Sequence, residues 1–173
     1  MVLLTETYIK ERDVDWYCLV DGVPAHFASM GGMIPERFRD KSILRHNQDV
    51  VATMSVLCDA RLNIENIEQQ ITDGYDYLEN ESLKRLVESY NKNNPGFIYL
   101  NEYRLPVRLY ASSFVEKARR GFRSYARKEY GNGNEYVLIA EPVSSIDLAL
   151  CYGDRLHLEE LEDNLLNDGI KCG

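Results

Sequence analysis

A chain of 173 residues, 45% hydrophobic and 28% charged, is long enough to bury a core without disulfides or a metal. A formal net charge of -8 argues against a general nucleic-acid binder, and no stretch approaches the roughly 20 apolar residues of a membrane span. The four cysteines, Cys18, Cys58, Cys151 and Cys172, are far apart, which leaves no CxxC and no zinc-ligand spacing.

No metal and no cofactor are therefore expected. The opening MVLLTETYIKER has neither a basic n-region nor a long apolar run, so a cytoplasmic protein with reduced thiols is expected.

In chain order, Val2 to Ile9 alternates loosely and favours a strand. The clearest β signal is Asp15 to Met30, where Trp16–Val20 runs into Asp21-Gly22 and a second run follows. An Asp-Gly between two β-prone runs predicts a hairpin. Pro35 opens a short helical segment through Arg39. Val50, Val51, Met54, Leu57 and Cys58 mark one helical face in a segment starting at Lys41, with Asp40 as its N-cap. Asn63 caps a helix carrying Ile64, Ile67 and Ile71, and Asn80 caps another carrying Leu83, Leu86, Val87 and Tyr90.

NKNNPG, residues 91–96, is a stop signal and the best place for a subdomain seam. Phe97–Leu100 and Leu105–Tyr110 read as strands. Ser113–Tyr130, SFVEKARRGFRSYARKEY, reads as a basic helix opened by a Ser113/Glu116 capping box. Gly131–Asn134 is a turn, Tyr136–Ala140 a strand, Ile146–Tyr152 a short strand and Leu156–Leu166 an acidic helix. The fold class expected is α+β: a single domain over residues 1–173, with a mostly antiparallel sheet and helices packed on one side.

Charge is uneven along this order. Residues 101–140 hold 4 acids and 8 bases, a local +4, and residues 141–173 hold 8 acids and 2 bases, a local -6. On a helix over 113–130, Phe114, Ala118, Phe122 and Tyr125 share the buried side. Arg119, Arg120, Arg123 and Arg127 lie together at its rim and form the candidate binding stripe. Arginine suits bidentate contact with carboxylates or phosphates. The competing expectation is that Glu159, Glu160, Glu162 and Asp163 already occupy them.

Catalytic signals are sparse. His26, with Cys18 and Asp21 nearby on the partner strand and Asp15 at its start, is the one constellation near the hairpin that could support nucleophilic chemistry, as a small hydrolase or transferase using His26 with Cys18 or Asp21. His46 and Asp49 are three apart on the second helix, with no third member; His157 reads as a surface residue. Gly31-Gly32 lacks the spacing of a phosphate loop. The leading expectation is a non-enzymatic binding protein whose partner is a protein. The alternatives are the hydrolase or transferase, and a nucleic-acid or nucleotide binder using the basic helix. Twelve tyrosines against five phenylalanines also admit a homo-oligomer.

Overall fold

The computed structural model describes residues 1–72, 105–161 and 171–172. Within them the order is α1 (Glu6–Lys10), β1 (Asp15–Val20), β2 (Val23–Ala28), a 3-10 turn (Glu36–Phe38), α2 (Lys41–Thr53), β3 (Ala60–Leu62), α3 (Ile64–Thr72), α4 (Leu105–Ala118), β4 (Arg123–Glu129), β5 (Asn132–Pro142), α5 (Leu148–Tyr152) and β6 (Lys171–Cys172). The sheet order is β1-β2-β4-β5-β3, with β6 also pairing β5. The β1–β2, β4–β5 and β3–β5 pairs are antiparallel; β2–β4 and β5–β6 are parallel. The fold is α+β with a mostly antiparallel sheet.

The hairpin closes through Asp21 (φ 51°) and Gly22 (φ 74°). Positive φ at both central residues is the two-residue turn whose twist matches the flanking strands. Pairing Tyr17 with His26 and Trp16 with Phe27 then sends alternate residues to opposite faces.

One face carries Ala28, Ala126, Ile139 and Ala140 against α3 and α4, which supply Ile67, Ile71, Val107, Ala111, Phe114 and Val115. Ile139 and Ala140 are neighbours yet join the same cluster, because a bulge in the β4–β5 ladder shifts the register there. The other face is an aromatic row. Trp16 stacks on Phe27 at 4.4 Å and Phe27 on Tyr125 at 4.9 Å, with Tyr136 edge-on to Phe27. Ile9 of α1, Phe38 and Leu44 of α2 cover it.

Several local expectations hold. Asp40 caps α2 by accepting from the N–H groups of Ser42 and Ile43, and the Asn63 side chain accepts from Asn66 N–H. Others are corrected. Val2–Ile9 is not a strand; Thr5 caps the short α1 instead, its hydroxyl accepting from Tyr8 N–H. Leu105–Tyr110 is helical, since a proline in the first turn forfeits no intrahelical bond. Residues 148–152 form a helix because Asp147 accepts from Ala149 and Leu150 N–H.

The largest correction falls on 113–130. Ser113 lies inside α4, which ends at Ala118, and Arg123–Glu129 is a strand. Gly121 takes φ 99°, which breaks the helix. Pairing on both sides, with β2 and β5, then overrides local helical propensity. Phe114, Phe122 and Tyr125 consequently sit in three different apolar clusters rather than on one face. Residues 156–161 are likewise not helical. The helix expected at Asn80, the seam at 91–96 and the strand at Phe97–Leu100 lie outside the described residues.

Arg127, paired in register with Tyr136, stands among these buried side chains. It is fully buried. Its Nε donates to Ser29 O at 2.7 Å and its Nη2 to Met33 O and Tyr136 Oη, each at 2.6 Å; Nη1 donates to Gly133 O. Desolvation holds its pKa below the usual arginine value. Gly32 makes room for it: a Cβ there would stand 2.1 Å from Arg127 Nε.

Arg127→Lys is expected to lower stability by about 2 kcal/mol, because an ammonium cannot reproduce the fork and leaves buried carbonyls unpaired. Gly32→Ala should act at least as strongly. Urea unfolding followed by Trp16 fluorescence measures both, and unchanged midpoints would refute the role assigned to the guanidinium.

Candidate functional site

His26 stands in the middle of the sheet, 1% exposed. Register places it opposite Tyr17 on β1 and Ser124 on β4. Its Nδ1 is 2.6 Å from Ser124 Oγ and its Nε2 is 2.9 Å from Asp15 Oδ1. Lys117, reaching down from α4, sits 3.6 Å from Asp15 Oδ2. A serine, an imidazole and a carboxylate are thus in line, with an ammonium on the far oxygen.

This chain of groups has the composition of a nucleophile, a base and an orienter. Its access is inverted. Ser124 is fully buried on β4, between β2 and β5, whereas the carboxylate of Asp15 is the half-exposed end. Both ring nitrogens of His26 are engaged. The arrangement ties β1, β2, β4 and α4 together through polar bonds inside an apolar layer that includes Phe114.

Cys18 and Asp21 do not join His26. Because Tyr17 faces the same side as His26, Cys18 points to the opposite face, among Trp16 and Phe27. Burial pushes its thiol pKa well up, which makes it a poor nucleophile. Asp21 is exposed in the turn. The carboxylate that does reach His26 is Asp15, at the start of β1. Ser124 was hidden within the basic run, and 98 residues separate it from His26, so no local spacing could reveal the pair.

The four arginines of the expected stripe are dispersed. Arg119 is half-buried at the end of α4, and its carbonyl accepts from Leu57 and Cys58 N–H. Arg120 donates from Nε to Met54 O at 3.0 Å and from Nη1 to Glu116 O at 2.9 Å. Arg127 is in the core. Arg123 remains at the surface, its Nε 3.7 Å from Glu141 Oε2. Arg61 of β3 approaches the other oxygen of Glu141 at 3.4 Å. Two guanidinium groups on one carboxylate leave this trio a net +1.

The acidic segment takes other partners. Glu159 pairs with Arg37 at 3.5 Å, and Glu160 accepts from Gly22 N–H at 3.1 and 3.2 Å. Glu162 and Asp163 lie outside the described residues. His46 turns its Nε2 to Arg155 O at 2.5 Å.

Arg61, Arg123 and Glu141 line a cleft of about 310 Å³ with Gly22, Pro24 and Ser145. An adjoining hollow of about 500 Å³ shares Gly22, Pro24, Ser145 and Ile146 and continues to Leu148 and Leu158. His26, Asp15 and Ser124 line neither. Among the described residues no group of three His, Cys, Asp or Glu could hold a metal ion, and no helix is long and apolar enough to cross a membrane.

The electrostatics of Asp15 give a pH dependence. Burial alone would raise its pKa, but the charge and hydrogen bond of His26, together with Lys117, outweigh it and bring the value down to about 2. A carboxylate depressed on folding stabilises the protein above its unfolded value near 4, and that contribution is lost as pH falls toward about 2. Stability measured from pH 5 to pH 2 should therefore fall more steeply in the native chain than in Asp15→Asn, and parallel curves would contradict the coupling. Comparison of the chain with protein-family models, with curated proteins and with solved structures gave no match.

Proposed function

We propose that this chain is a non-enzymatic binding protein whose partner is another protein, engaged at the cleft beside the β1–β2 hairpin tip. What carries the reading is the pair of exposed arginines, Arg61 and Arg123, on either side of Glu141 at that cleft. Arg123 also bonds to Tyr125, but a guanidinium carries five N–H donors, and such forks suit the carboxylates of an acidic partner.

A protein partner is favoured over nucleic acid by the arginine geometry. Backbone binding to a nucleic acid draws on many phosphate contacts and a continuous basic track. Here Arg127 is in the core, Arg120 is engaged by backbone carbonyls, and the surviving surface pair is partly neutralised by Glu141. Reversal of Arg61 and Arg123 to Glu should cut partner capture from the native cell by about 10-fold or more while leaving the thermal midpoint nearly unchanged. Capture that survives the reversal, or that disappears on nuclease treatment of the native sample, would sink the proposal. Arg127 does not belong in that variant, because reversing a buried guanidinium would unfold the chain.

The line Ser124–His26–Asp15 supports a second reading, a small hydrolase with Ser124 as nucleophile and His26 as base. A fluorophosphonate probe separates the two. The binding reading expects no adduct on Ser124 in the folded chain; a stoichiometric adduct that is lost in His26→Ala would establish the hydrolase.

A further inference from the structure

Residues 155–161 lie as a strap between α2 and β1, and their backbone is held at every second residue. His46 Nε2 meets the carbonyl of Arg155. Asn47 Nδ2 donates to His157 O at 2.9 Å, and His157 N–H donates to Asn47 Oδ1 at 2.9 Å. Leu19 N–H donates to Glu159 O at 2.8 Å, and Leu161 N–H donates to Leu19 O at 2.7 Å. Asn47 is itself 2% exposed. A buried amide that reads both the N–H and the C=O of one residue recognises peptide backbone whatever the side chain.

Side chains of the strap alternate to match. Leu156 and Leu158 pack on the cluster of Tyr17, Val51 and Met54, and Leu161 packs on the Trp16 cluster. Glu160 takes the N–H of Gly22, and Arg37 pairs with Glu159 and donates to Glu160 O. β1 is the terminal strand of the sheet order. The arrangement is that of a peptide added to a sheet edge, with main-chain bonds for affinity and alternate side chains for selectivity.

We infer that this groove is a peptide-recognition site occupied by the chain's own strap, and that its second occupant is an extended segment of a partner protein with the same chemistry: leucines at alternate positions, then two acidic residues and a leucine. The acidic requirement comes from Arg37 and the Gly22 N–H, and the leucine requirement from the two clusters. The strap leaves α5 at Gly153, φ 57°, so it is tethered within a few residues of the groove. A short tether gives the strap a high effective concentration, and a partner segment binds only when the strap is displaced. This site is distinct from the Arg61/Arg123 cleft and does not depend on it.

The test uses a fluorescent peptide with the sequence of residues 155–161, titrated into three full-length chains. In the native chain binding should be weak. In a chain with the strap disabled by Leu158→Ser, Glu160→Ala and Leu161→Ser it should tighten by about 10-fold or more, since the internal competitor is gone. Adding Asn47→Ala to that chain should abolish the gain. Equal affinity for the native and strap-disabled chains, indifference to Asn47→Ala, or self-association of the strap-disabled chain in place of peptide binding would overturn the proposal. Hydrogen exchange on the native chain covers the case in which the disabled strap prevents folding. The amides of His157 and Leu161 should exchange through local opening, well before those of β2 and β4. Exchange of all four regions only by global unfolding would show a permanent structural element.

Discussion

The guanidinium of Arg127 is the constraint on which the arrangement of this sheet depends. It satisfies carbonyls of Ser29 and Met33, which leave the β2 end, and of Gly133, which opens β5, together with the hydroxyl of Tyr136. Ser29 and Met33 lie in the segment after β2, whereas Gly133 and Tyr136 lie on β5, the ladder partner of Arg127's own strand. A buried carbonyl without a donor is costly, so the loop after β2 and the start of β5 are held to one geometry by one side chain. Gly32 has to remain without a Cβ for the same reason. The aromatic row of Trp16, Phe27, Tyr125 and Tyr136 lies beside this centre, with the Arg127 guanidinium 4.7 Å above the Tyr136 ring.

Beside that centre the molecule holds two kinds of polar device that differ in access. The Asp15–His26–Ser124 line is internal and connects strands. The Arg61–Glu141–Arg123 trio and the strap of residues 155–161 lie at and beside the hairpin tip. Gly22 belongs to each of these two features: it lines the cleft and donates its N–H to Glu160 of the strap. The short two-residue turn therefore sets the position of both.

What could be read from the residues was whatever is decided locally. The Asp21-Gly22 turn and the Asp40 and Asn63 caps rest on interactions within a few residues, and they appear as expected. The helical stripe over residues 50–58 does not, because α2 ends at Thr53 and Met54, Leu57 and Cys58 follow it in non-helical chain. The arginine stripe is dispersed because it requires a continuous helix over 113–130, and Gly121 ends that helix. The strand that follows is decided by partners far away in the chain. His26 was legible as a candidate and Asp15 as a neighbour at the start of its partner strand, but which groups its ring meets was not. Asp15 replaces Asp21, and Ser124 enters from 98 residues away. Cys18 was excluded by the two-residue alternation of a strand, a rule that required the register to apply it. The acidic segment kept its leucine spacing, which fits a helix, yet its backbone bonds go to Asn47 and Leu19.

The parallel pairing of β2 with β4 has a further consequence, for the order of assembly. Each belongs to a hairpin whose strands are adjacent in sequence, β1–β2 and β4–β5, and such units close in microseconds. Joining them requires closure of the intervening chain from Ala28 to Arg123. That closure is slow, yet its entropic cost grows only with the logarithm of loop length. The two halves of the sheet can thus form early and meet late. The His26–Ser124 contact, which crosses the join, becomes a marker of the last step rather than of the first.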